Sequence, residues 1–145
     1  MEKKRKFKFL EHTADAYIAA HGRDLPEAFE NAAVAMFDVT TQVETVEPKI
    51  EDQVEVKASD EYALLYNWLE ALLVKSELNG MLYSKFKVLE LVKGSDGFRL
   101  IAKIWGEKFD PKKHLQKVGI KAVTYHQMEI IRASGKVTVK FILDI

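Results

Sequence analysis

Residues 121–145 read KAVTYHQMEIIRASGKVTVKFILDI, and the dipeptide Ser134-Gly135 inside this stretch sets the register around it. Two turn-forming residues between two β-prone runs predict a tight hairpin. Ala133 then lies opposite Lys136, Ile130 opposite Val139 and Met128 opposite Phe141. Met128, Ile130, Val137, Val139, Phe141 and Leu143 fall on one face, while Glu129 meets Lys140 on the other as an opposite-charge pair. A slip of one residue would turn the whole apolar set toward water. The predicted strands are Ala122–Ala133 and Lys136–Asp144. Carried outward without interruption, the register pairs His126 with Leu143 and Tyr125 with Asp144.

Upstream, Lys6–His12 and Ala16–His21 read as two strands with the acid Asp15 between them. Asp24 opens a helix: Glu27 stands at capping-box spacing, and Pro26 sits in the first turn, where a missing N–H costs nothing. Leu25, Ala28, Phe29, Ala32, Met36 and Phe37 recur at helical spacing, and Thr40, Thr41 and Pro48 mark the end and the following loop. Ile50, Val54, Val56 and Ala58 alternate with charged residues in a half-buried strand. A second helix runs from about Asp60 to Leu78 and stops at Asn79-Gly80, with Leu65, Trp68, Leu69, Leu72 and Leu73 as its apolar stripe. Phe86–Val92 and Phe98–Trp105 flank the turn Gly94-Ser95-Asp96-Gly97. The polar stretch Phe109–Gly119, containing Pro111, reads as a loop or a short helical turn. The order ββαβα followed by four strands predicts an α+β fold, with two main helices on one side of a largely antiparallel or mixed sheet.

With 145 residues, 48% of them hydrophobic and 30% charged, the chain is expected to form one domain spanning 1–145 with one sizeable core. It has no cysteine, which excludes disulfides, thiolate metal sites and cysteine nucleophiles. The N-terminus lacks an apolar h-region and no stretch is long enough to span a bilayer, so a cytoplasmic location without membrane contact is expected. Basic and acidic residues balance at 22 each. The balance is uneven, since Lys3, Lys4, Arg5, Lys6 and Lys8 face only Glu2 in the first eight residues. Such a run can touch RNA phosphates or simply be a solvated chain start.

Two places could carry chemistry. Asp15 sits where one strand gives way to the next, as a functional side chain or as a turn aspartate bonding its own backbone. At the other end, Asp144 and, if the chain stops there, the main-chain carboxylate of Ile145 bring two anions within one residue. With Asp15 as a third, such an oxygen-only cluster suits calcium, magnesium or manganese rather than zinc. An ordinary solvated terminus fits the same residues. The four histidines show no His-x-x-x-His spacing; His12 and His126 read as strand residues and His114 as a loop residue open to a surface contact. No Ser/His/Asp arrangement, phosphate-cradling glycine loop or dinucleotide fingerprint is present. A non-catalytic role is expected.

His12-Thr-Ala-Asp15, the Asp24–Phe37 helix, Leu64–Leu73 with Trp68, Gly119-Ile-Lys-Ala-Val-Thr-Tyr-His126 and the closing Leu143-Asp-Ile145 together resemble the archease family over essentially the whole chain. The resemblance implies an accessory protein of the RNA ligase that joins tRNA halves, promoting its GTP-dependent guanylylation and multiple turnover. It places metal ligands on Asp15, Asp144 and Ile145. Lys113, His114, Lys121, Tyr125 and His126 become candidates for contact with the ligase, and tRNA is met through the ligase. Two other readings stay open: a chaperone or modulator of RNA-modifying enzymes such as a tRNA methyltransferase, and a metal-dependent hydrolase.

Overall fold

The computed structural model describes residues 6–10 and 15–145. The strands are β1 (Phe7–Leu10), β2 (Asp15–Gly22), β3 (Ile50–Ala58), β4 (Met81–Gly94), β5 (Gly97–Lys108), β6 (Ala122–Val123), β7 (Glu129–Ala133) and β8 (Lys136–Asp144). The helices are α1 (Leu25–Thr40) and α2 (Glu61–Asn79), with a short 3-10 turn at Val43–Thr45. The α+β class holds, and every strand pair is antiparallel. The strands divide into two sheets, one ordered β1-β2-β8-β6 with β7 also on β8, the other β3-β5-β4. No helix among the described residues is long and apolar enough to cross a membrane.

Both helices begin where their side chains can replace missing backbone partners. Asp24 Oδ1 accepts from the Glu27 N–H at 2.9 Å, and Glu27 Oε1 reaches back to the Arg23 N–H at 2.8 Å. Asp60 caps α2 in the same way, accepting from Ala63 N–H at 2.8 Å. Gly80, at φ 62°, ends α2 in the left-handed conformation that glycine adopts without cost. α1 packs on β2 and β8 and reaches β4; α2 packs on β3, β4 and β5 and touches β6. A helix that meets two sheets must be apolar over a wide arc, and nine residues of α1 are buried. Trp68 ties the helices together: fully buried, it donates its indole N–H to Phe29 O at 2.9 Å.

The final hairpin follows the expected register from Ala133↔Lys136 to Glu129↔Lys140, and there the expectation fails. Six steps back from Glu129 to Val123 answer only three steps along β8, from Lys140 to Leu143. The extra residues form a turn: Met128 N–H bonds to Tyr125 O at 3.1 Å, and Gln127 takes φ 54°. The single strand expected over Ala122–Ala133 is therefore two. Ala122, not Tyr125, pairs with Asp144, and Val123, not His126, pairs with Leu143.

Sheet contact is closest at Gly106 of β5, which pairs with Tyr83 beside an irregularity in β4. A Cβ there would lie 1.8 Å from Leu82 O, whereas at Gly119 it would meet open space. Gly106→Ala should therefore lose about 2 kcal/mol or more of unfolding free energy in urea titration. Gly119→Ala should stay within about 0.5 kcal/mol of the parent. Equal effects from the two would contradict this packing.

Candidate functional site

The central ladder of the larger sheet joins the start of the described chain to its end. β2 and β8 pair without interruption from Gly22↔Val137 to Asp15↔Asp144. Alternation of side chains puts Ile18, Ala20, Val139, Phe141 and Leu143 on the buried face, all with 0% exposure. The same alternation puts Asp15 and Asp144 on the opposite face. Directly opposed residues in an antiparallel pair carry Cβ atoms about 4.5–5.5 Å apart. Both aspartates are half-buried, as is Ile145. β6 flanks Asp144 on its other side, and Lys121 N–H donates to Asp144 O at 2.7 Å.

Like charges directly opposed on a ladder are mutually destabilising, so this juxtaposition favours any cation that neutralises both. Oxygen donors of this kind match a hard divalent ion. Among the described residues, no group of three or more histidine, aspartate or glutamate side chains gathers as a metal site. The two aspartates are the carboxylates this face offers, and His12, Thr13 and Ala14 of the sequence motif lie outside the described residues. So do Lys3, Lys4 and Arg5 of the basic run.

Lys121, next to β6, and Tyr125 and His126 beyond it are exposed. Tyr125 does not sit beside Asp144. It stacks on Tyr66 of α2, rings 4.4 Å apart and 5° from parallel. Thr124 closes the turn, its N–H and hydroxyl both donating to Ile142 O at 3.2 and 2.9 Å.

Lys113 and His114 belong to a separate cluster, and His114 is corrected from a surface contact to a buried residue, 2% exposed. Its Nδ1 accepts from Asp110 N–H at 2.9 Å, so the ring proton sits on Nε2 and is donated to Glu107 Oε2, also at 2.9 Å. Glu107 Oε2 further accepts from Glu47 N–H at 2.9 Å and pairs with Lys113 Nζ at 2.8 Å. Burial alone would raise the Glu107 carboxyl; Lys113, the Glu47 N–H and His114 outweigh it and bring it down to about 2. Lys113 is raised in turn, chiefly by its bond to Glu107. Both sides of His114 are committed within the chain, which leaves it nothing to offer a partner. Glu107 escaped the sequence reading because it lies on a strand and shows its role only once the loop folds back.

With this geometry in view, the chain can be compared with known proteins. The family described as "Archease protein family (MTH1598/TM1083)" matches residues 7–145. The chain belongs to the archease family. It is 48% identical to protein archease of Sulfurisphaera tokodaii over 141 residues, covering 97% of this chain and 99% of that one. It is 43% identical to protein archease of Sulfolobus acidocaldarius over 141 residues, with the same coverage. The solution structure of Methanobacterium thermoautotrophicum protein 1598 superposes with a TM-score of 0.85 at 41% identity, covering 97% of this chain and 99% of that chain. A Thermotoga maritima archease, described as a possible chaperone, shares the fold at a TM-score of 0.61 and 16% identity over the full length of both chains. The archease fold is thus established here along with the membership.

The Glu107 cluster predicts an acid dependence. A carboxyl lowered from 4.5 to about 2 stabilises the fold fully above 4.5 and loses that contribution as pH falls through about 2. In urea titrations, the stability gap between the parent and Glu107→Gln should shrink steadily between pH 4.5 and 2. A gap that stays constant across that window counts against the cluster.

Proposed function

We propose that this archease-family chain is an accessory protein of the tRNA-splicing RNA ligase, promoting GTP-dependent guanylylation of that ligase and its multiple turnover. The observation that carries the reading is the ladder position of Asp15 and Asp144, acidic side chains from the two ends of the described chain, opposed on one face. Asp15 and Asp144, together with the main-chain carboxylate of Ile145 if the chain stops there, would hold a divalent cation, calcium or else magnesium or manganese. When bound, the ion supplies positive charge suited to orienting phosphate oxygens. The strand pairing holds the two Cα positions opposite one another, so only the side chains need ordering on cation capture. Lys121, bonded through its backbone to Asp144, and the exposed Tyr125 and His126 of the turn that follows are the side chains offered to the ligase, with Lys113 in a separate cluster. The transferred groups belong to the ligase, tRNA is reached through it, and no residue of this chain is assigned a catalytic role.

A single-turnover guanylylation assay with purified ligase tests this. The parent chain should raise the rate, and Asp15→Ala and Asp144→Ala should each reduce that gain at least about tenfold, about 1.4 kcal/mol. Calcium should raise the melting temperature of the parent and not of the variants. Full activation by both variants sinks the reading.

A further inference from the structure

The opposite end of the same two strands carries the opposite charge. Where β2 ends and β8 begins, a cavity of about 260 Å³ opens between the β7–β8 turn, the segment entering β1 and the start of α1. Its walls include Lys6, Gly22, Arg23, Gly135 and Lys136. Lys6 is fixed in place by its carbonyl, which accepts from His21 N–H at 2.9 Å and extends the β1–β2 ladder by one residue. Gly135, at φ 68°, makes the turn that presents Lys136. Asn31, also in the wall, holds the rim by donating to His21 O at 2.6 Å.

The charge of this cavity is unbalanced. Its one acid is Glu27, which is already used: Oε1 accepts from Arg23 N–H, and Oε2 pairs with Arg23 Nη1 at 3.3 Å. Arg23 and Glu27 cancel. Lys6 and Lys136 have no carboxylate partner among the described residues, so two lysines from distant parts of the chain line one concavity. Concave walls concentrate such a field. Gly135, with open space where a side chain would lie, brings backbone to the surface, while Gly22 lets the start of α1 close in, since a Cβ there would lie 2.4 Å from Ala28 N.

We propose that this cavity binds the phosphate group of a phosphate ester. Two ammonium groups act as point charges suited to a tetrahedral anion approached from two sides. The volume lies below the roughly 300–1,000 Å³ of pockets that enclose a drug-sized ligand. The phosphate enters and the remainder of the ester stays outside. The source of the phosphate is either a free ester or a nucleic-acid backbone, and one experiment separates them.

The test is a ¹⁵N NMR titration of the full chain with inorganic phosphate, with AMP and with a short single-stranded RNA. All three should shift the amides of Gly22, Arg23, Gly135 and Lys136 first. Lys6→Ala/Lys136→Ala, both exposed positions, should keep its melting temperature and lose about tenfold in affinity for each probe. RNA binding far tighter than AMP, with a salt slope that falls by about two in the double variant, identifies a backbone phosphate. RNA and AMP binding alike identifies a free ester. The proposal is overturned if phosphate leaves those amides unmoved or if the double variant binds every probe as tightly as the parent.

Discussion

The pairing of β2 with β8 is the constraint on which the rest of this structure depends. It closes a loop of more than a hundred residues, at an entropic cost of about 4 kcal/mol. What offsets that cost is the shared apolar face, where Ile18 opposes Phe141 and Ala20 opposes Val139, all fully buried. The same packing leaves no freedom of register. A shift of β8 by one residue would bring Lys140 into the core in place of Val139 or Phe141. The position of Asp144 opposite Asp15 is therefore enforced by side chains that take no part in any site. A like-charge pair costs up to about 1 kcal/mol on a ladder, and a ladder this well buried can carry that cost.

The second sheet is attached through polar bonds set into an apolar interior. Phe37 stacks on Phe86 with centroids 5.9 Å apart, and Trp68 meets the same ring edge-on at 6.2 Å, joining α1, α2 and β4 in one aromatic group. Strand irregularities are then repaired by helix side chains. Where β4 breaks register between Val88 and Glu90, the Val88 N–H donates to Glu30 Oε2 of α1 at 2.8 Å. Burial raises the Glu30 carboxyl, and the Val88 bond only partly counters it. An unmade backbone bond in this interior would cost more than the ordering of one side chain. At the exposed edge of the second sheet, Asn67 of α2 donates to Lys57 O of β3 at 2.8 Å.

What the sequence disclosed was local. Asp24 and Asp60 stand at helix starts, Gly80 at a helix end, and Ser134-Gly135 fixes its neighbours by strand geometry alone. The register from Ala133 to Glu129 was legible for that reason. It failed beyond Glu129 because the turn at Tyr125–Met128 contains no glycine or proline. Gln127 takes a left-handed conformation there, and Tyr125 leaves the ladder to stack on Tyr66 of α2. That contact comes from a distant helix and has no local signature. The burial of His114 escaped for the same reason, since its environment is made by Glu107 and Asp110 only after the loop closes. Division into two sheets was equally hidden, because it depends on β5 choosing β3 and β4 over every other strand. The convergence of Asp15 on the C-terminal strand was anticipated, although the neighbour expected there was Tyr125 rather than Ala122.

The charge layout of the central ladder has a consequence for how its ends can act. Asp15 and Asp144 close one end, while Gly22 and Lys136 lie at the other, seven or eight residues away along each strand. At about 3.3 Å per residue the separation exceeds 20 Å. The screening length at physiological ionic strength is about 8 Å, so the acidic and basic ends barely feel one another through solvent. Neutralising either end therefore leaves the charge balance of the other nearly unchanged. Any coupling between them would have to pass through movement of the ladder itself, and the buried face that fixes its register resists such movement.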